Sequence, residues 1–186
     1  LSTDFRIPNN TWNGEYFHYG LVDWNKESSN TKYIANPGCF ATAIQLGILP
    51  LHESNITEFH VTAITGATGA GGALSETSHF PFRDNNVSVY KALNHQHLNE
   101  IKAMYSTLSG IEIKVNFVPV RGNFSRGILA SIYAESNLSL EDIKSCFDNA
   151  YENCQSILLS ENPIHLKQVV NTNKTAIHIQ KIDSHV

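Results

Sequence analysis

The chain is poor in the residues that mark several protein classes. It has only three cysteines, Cys39, Cys146 and Cys154, and no CxxC pair. An odd count without paired spacing provides no disulfide framework, and the missing CxxC removes the usual thiolate zinc site. Charged residues make up 16% of the chain and the net charge is −4, so there is no basic face of the kind nucleic-acid binders carry. Apolar runs stay far below the roughly 18 residues of a membrane span. The first ten residues carry Asp4 and Arg6 with no apolar block, which argues against a secretory leader there. The chain does not begin with methionine and reads as an excised piece. These absences point to a reduced, cytoplasmic protein and give no support for a polyanion partner.

What is present suffices for one domain with a short appendage. The chain has 186 residues, 41% of them hydrophobic, enough to bury a core. Residues 1–33 are polar, rich in Asn, Trp and Tyr, and read as loop. The run Tyr33-Ile34-Ala35 stops at Asn36-Pro37-Gly38, a forced turn. Phe40, Ile44 and Ile48 then mark one face of a helix from Cys39 to about Leu49, ended by Pro50. Residues 59–65 read as a strand, followed by a loop with four glycines in seven residues, Gly66 to Gly72. Residues 73–94 read as irregular.

Leu98, Ile101, Tyr105 and Leu108 predict an amphipathic helix. Alternation over Ile111, Ile113, Val115 and Phe117 predicts a strand closed by Pro119, and Ile128 to Ala134 predicts another. Ser139 with Asp142 forms a capping box for a long helix whose face runs from Ile143 through Cys154 to Leu158. Residues 165–170 and 176–182 read as a last pair of strands. Two consecutive strand pairs favour an α+β fold, with a mixed, largely antiparallel sheet covered by helices.

Four segments carry chemistry. The Asn36-Pro37-Gly38 turn delivers Cys39 to the first position of a helix, where unpaired N–H groups and the macrodipole stabilise an anion. A thiol there has a lowered pKa, and the same N–H groups can hold an oxyanion. On spacing alone, a small apolar cysteine packed at a helix start is an equal reading. His95 and His97 precede the second helix, and one of them beside a thiol would act as general base and then acid. Two surface histidines are the plain alternative, and a metal reading lacks further ligands.

The glycine loop has no Gly-Lys-Ser/Thr for a P-loop, and Leu74 stands where a dinucleotide fingerprint needs Gly. It reads as a place of close backbone approach, or as a simple turn. Arg121 and Arg126 flank a turn and suit carboxylate or phosphate, although solvated turn charges are the commoner case. Tyr90 is more often a rim aromatic than a catalytic one.

In this order the pieces resemble the N-acetyl-gamma-glutamyl-phosphate reductase family. The similarity runs through Leu1-Ser2-Thr3-Asp4-Phe5-Arg6, Tyr19-Gly20-Leu21, Ile34 to Phe40 with its Asn-Pro-Gly-Cys core, the Gly66 to Gly72 loop, His95-Gln96-His97-Leu98-Asn99-Glu100-Ile101, and Arg126-Gly127-Ile128-Leu129. Gln96 and Asn99 stand where the family usually has Arg and Pro.

The resemblance implies the glyceraldehyde-3-phosphate dehydrogenase-like catalytic fold. Residues 1–33 would be the tail of a nucleotide-binding domain and linker, and 34–186 the catalytic and dimerisation domain. The Rossmann domain and a final C-terminal helix would lie outside the chain. It further implies NADP(H)-dependent reduction of an acyl phosphate through a thioester on Cys39, with His97 as acid/base and His95 second. Asn36, Arg126, Arg121, Arg6 and Tyr90 would meet the substrate, Gly69 and Gly71 the cofactor, and the protein would be a homo-oligomer. An aspartate-semialdehyde dehydrogenase-like enzyme and a noncatalytic dimerisation module are the rivals.

Overall fold

The computed structural model describes residues 11–12, 14–24, 32–72 and 75–186. Within residues 11–35 lie four two-residue strands: β1 (Thr11–Trp12), β2 (Glu15–Tyr16), β3 (His18–Tyr19) and β4 (Ile34–Ala35). β1 pairs with β2, and β3 lies parallel to β4, with Tyr19 opposite Ala35.

The centre is a four-stranded sheet ordered β6-β7-β5-β8, formed by β5 (Glu58–Thr65), β6 (Ser88–Val89), β7 (Lys114–Arg121) and β8 (Ile128–Tyr133). β5 pairs in parallel with β7 over its whole length and antiparallel with β8. A parallel pair needs a long crossover, and the segment carrying α3 (Leu98–Ser109) supplies it. The sheet is therefore mixed, as expected, with its longest pairing parallel.

Pro119 does not close a strand. It lies inside β7 opposite Ala63, and its carbonyl accepts the Tyr90 N–H at 3.1 Å. Proline is tolerated there because the neighbour on that side, β6, is a two-residue edge strand, so few ladder bonds are at stake.

Alternation sets the faces. Phe59, Val61 and Ala63 of β5 and Val115 and Phe117 of β7 are buried beneath α1 (Cys39–Ile48) and α3. Phe40, Ile44 and Ile48 present one stripe of α1, and Ile101 and Tyr105 one of α3; each such fully buried side chain contributes about 2 kcal/mol. The other sheet face is polar and exposed in part, with His60 stacked on Tyr133 at 4.8 Å and Lys114 paired to Glu58 at 2.8 Å. α1 stops at Ile48, and Pro50 sits inside the 3-10 turn Leu49–Leu51 that follows.

Beyond the sheet the long predicted helix is shorter than its apolar face. α4 (Leu140–Tyr151) ends before Cys154, whose N–H closes a turn onto the Tyr151 carbonyl. Leu158 belongs to β9 (Ile157–Ser160), where it is exposed. A short apolar run has no period of its own, so a strand read as more helix. The last predicted strand pair changes accordingly: residues 166–168 are a 3-10 turn, and β9 pairs in parallel with β10 (Thr175–His178). Residues 73–94, expected to be irregular, contain α2 (Phe80–Arg83) and β6.

Candidate active site

Cys39 is the first residue of α1, and Gly38 is its N-cap, in extended conformation with no side-chain cap. The cysteine is exposed. It lines an open cleft of about 1160 Å³ together with Thr42, Thr68, Gly69 and Arg126. No acidic residue occupies the first turn of α1, so the positive end of the helix is not filled by its own side chains.

The other side of the turn is buried. His95 and His97 lie in the loop entering α3, both nearly inaccessible at 5% and 4% exposure. A β-carbon placed on Gly38 would lie 2.3 Å from His97 Nε2 and 2.6 Å from Glu100 Oε1. The imidazole edge and the carboxylate therefore press against the turn that delivers Cys39, and the contact excludes any side chain at position 38.

The two histidines have different surroundings. His95 is enclosed by Phe40, Phe117 and Tyr90 at ring separations of 5.4, 5.4 and 5.8 Å, and its Nδ1 accepts the His97 N–H at 3.2 Å. Burial, helped by the charge of Lys91, lowers its pKa from 6.5 to about 4. It is a neutral packing residue at ordinary pH. The ring 4.5 Å away, His97, is the one whose Nε2 faces Gly38.

Tyr90 and Arg121 lie beyond the histidines, Tyr90 against the His95 ring at 5.8 Å, and neither lines the cleft. The Arg121 guanidinium lies over the Tyr90 ring at 4.6 Å. Burial raises the phenol above its usual range, Arg121 pulls it back, and the Cys39 charge adds to the rise. Arg83, which sequence reading passed over, is buried and donates to the Arg121 carbonyl at 2.9 Å and to Ser88 Oγ at 3.1 Å. Glu100 enters the sequence reading only within the His95 to Ile101 segment; its signal is the three-residue step from His97, the N-cap of α3, which puts both on one side of the helix start.

The glycine loop has a structural task. A β-carbon on Gly66 would lie 2.5 Å from the Ser125 carbonyl oxygen. Gly66 N–H bonds Gly127 O, and Ala67 and Thr68 N–H bond Phe124 and Ser125 O, which clips the loop to the turn carrying Arg126. Gly69 reaches the cleft beside Cys39; Gly71, at φ +80°, is exposed and lines no part of it. Asn36 is exposed, and its amide donates to the Pro37 carbonyl. Arg6 lies outside the described residues. Among the described residues no cluster of three or more His, Cys, Asp or Glu is arranged for a metal ion, and no helix is long and apolar enough to cross a membrane.

A mixed sheet under helices, with a cysteine opening a helix at the cleft, defines a class, and residues 39–185 match the family described as semialdehyde dehydrogenase, dimerisation domain. The chain belongs to that family. Solved aspartate semialdehyde dehydrogenases share the fold: the Vibrio cholerae enzyme II with TM-score 0.67, 14% identity and 94% of this chain against 59% of that one, and a probable Pseudomonas aeruginosa enzyme with TM-score 0.62, 12% identity and 96% against 63%.

Curated relatives of higher identity carry a more particular name, N-acetyl-gamma-glutamyl-phosphate reductase. The chain is 50% identical over 184 residues to that of Azobacteroides pseudotrichonymphae, 48% over 185 to that of Christiangramia forsetii, and 47% over 187 to that of Parabacteroides distasonis. These matches take in 97%, 97% and 98% of this chain but 56%, 57% and 57% of the relatives, so it spans little more than half their length.

Proposed function

We propose that the chain is the catalytic half of an NADP(H)-dependent reductase that converts N-acetyl-gamma-glutamyl phosphate to the semialdehyde and phosphate, as the names of its relatives imply. The observation that carries this reading is Cys39, exposed at the start of α1, with the His97 imidazole against the residue before it.

His97 takes the thiol proton. The Cys39 thiolate forms a bond to the acyl carbon, the carbon–oxygen bond to phosphate breaks, and a thioester remains. Backbone N–H groups at the helix start support the oxyanion of each tetrahedral stage. A reduced nicotinamide, when bound, supplies the hydride that takes the thioester to the aldehyde level. Cys39 then leaves as thiolate, and His97 controls the proton. Arg126, which lines the cleft, and Arg121, which stacks on Tyr90, are the groups for the substrate's carboxylate and phosphate.

The residues present suit only part of the cofactor. Gly69 leaves the cleft beside Cys39 free of a side chain, as approach of a flat ring requires. Among the described residues the loop from Gly66 to Gly72 has no long helix behind it, and its sequence has no phosphate fingerprint, so on this reading the dinucleotide is held mainly by residues outside this sequence, in a nucleotide-binding domain. The same reading makes the protein a cytoplasmic homo-oligomer, in which the half-exposed Tyr133 and Leu129 on the outer sheet face meet a second copy.

The aspartate-semialdehyde reading is weaker because it places Asn before the cysteine, and no side chain fits at Gly38. In the full chain, Cys39→Ser should lower reductase activity with the acetylglutamyl phosphate by at least about a thousand-fold. Near-normal turnover by that variant, or faster turnover of aspartyl phosphate by the wild type, would end the proposal.

A further inference from the structure

We infer that Tyr19 and Gln45 are positioning residues: with the buried Glu100 carboxylate they form a hydrogen-bonded chain that holds the Gly38–Cys39 turn against His97. The inference rests on the proposed role of Cys39 and extends it to residues that touch neither substrate nor cofactor.

Gln45 Nε2 donates to Tyr19 Oη at 2.9 Å, Tyr19 Oη donates to Glu100 Oε2 at 2.9 Å, and the same Oε2 accepts the Gly38 N–H at 3.2 Å. One carboxylate oxygen thus ties β3 to the cysteine turn, while Oε1 of the same group lies beside His97 at the Gly38 contact. A negative group so placed favours the protonated imidazole, and a protonated imidazole favours the thiolate.

Two further features set the chain apart from incidental packing. Gln45 is wholly buried on α1, between residues that are otherwise apolar, and its Oε1 has no partner among the described residues. Leucine would fill that space without the cost of a buried, half-satisfied amide, so stability does not account for Gln45. Tyr19 is held by the backbone of β4, the strand that leads into the cysteine turn. It pairs with Ala35 of β4, and Gly20 N–H donates to Ala35 O at 2.9 Å, three residues before Gly38. A β-carbon on Gly20 would lie 2.4 Å from the Ile34 methyl, so this close approach needs glycine. The strand that leads into the turn therefore also sets the phenol that anchors it.

The test is the pH profile of Cys39 alkylation by iodoacetamide in the full chain, resolved by mass spectrometry from Cys146 and Cys154. The titratable or charged groups around the turn are His97, His95, Glu100, Tyr19, Tyr90, Arg121 and Arg126, of which only Tyr19 and Glu100 are altered. Tyr19→Phe should move the midpoint upward and slow alkylation at pH 7 about three-fold, Gln45→Met about two-fold, and Glu100→Gln about ten-fold, half a pH unit being about a factor of three. A side chain that merely packs would lower stability and leave the midpoint where it was. Unshifted midpoints in folded Tyr19→Phe and Gln45→Met overturn the inference, whether or not Glu100→Gln folds. If wild-type Cys39 is no more reactive than Cys146, it is the nucleophile assignment that fails instead.

Discussion

Two helices of this domain start in opposite ways. α4 fills its own N-terminus: Ser139 Oγ accepts the Asp142 N–H at 3.1 Å, and Glu141 and Asp142 put carboxylates in the first turn. α1 begins on Gly38, without a side-chain cap and without an acid, and presents Cys39 there. The macrodipole is the same at both ends, and what differs is the anion that meets it. At α4 it is permanent and covalently part of the helix. At α1 the carboxylate comes from another helix, Glu100 accepting the Gly38 N–H at 3.2 Å, and the first turn itself holds only the Cys39 thiol. The cysteine on α4 shows the converse, since burial, then Asp142 and Glu53, raise the Cys146 thiol. A helix end that its own side chains leave uncapped, beside a buried imidazole, is therefore the better mark of the candidate site than cysteine alone.

The sharpest way to break this contrast is Gly38→Ala. The backbone at Gly38 is ordinary extended chain, so alanine costs nothing in φ or ψ, and the whole effect comes from its β-carbon meeting His97 and Glu100. Displacing His97 by about 1 Å should cut activity about a hundred-fold or more. Activity within three-fold of wild type would show that the contact is slack.

A second test separates the two histidines. His95 is neutral in the fold down to about pH 4, whereas in the unfolded chain it takes a proton near 6.5. Because the unfolded state binds the extra proton, the stability from His95 is complete above pH 6.5 and is lost as pH falls toward 4. The loss by pH 4 is on the order of 3 kcal/mol. Urea midpoints across that range should fall in the wild type and fall less in His95→Gln; equal slopes would contradict the packing role. The smallest effect belongs to α4. Ser139→Ala should cost about 1 kcal/mol of stability and leave the Cys39 alkylation rate unchanged, since that cap serves only its own helix. A change at Cys39 would mean the two helix starts are coupled.

Much of the site was legible in the one-dimensional pattern because it is made of local signals. Asn36-Pro37-Gly38 is a local turn signal, and Phe40, Ile44 and Ile48 announce the buried face of the helix behind it. Ser139 with Asp142 announced a cap that is present. The errors lie where a local signal was absent or ambiguous. Pro119 reads as a stop because its missing N–H usually is one, yet it lies inside β7 because the strand beside it is so short. Leu158 extended an apolar helical face by chance of spacing. Spacing alone does not choose between His95 and His97 for the cysteine turn, and only the family resemblance favours His97, because no local rule says which side is the cleft.

Residue order alone was thus enough for the thiol at a helix start, the glycine loop without a phosphate fingerprint, and the alternating strands of a mixed sheet, because each depends on neighbours within a turn or two. Folding had to bring Tyr19, Gln45 and Glu100 onto one chain of hydrogen bonds, to wall His95 in aromatics, and to press His97 on Gly38. Those relations join residues up to 81 positions apart through burial and contact, and nothing in a linear pattern encodes the low-dielectric surroundings that give them their chemistry.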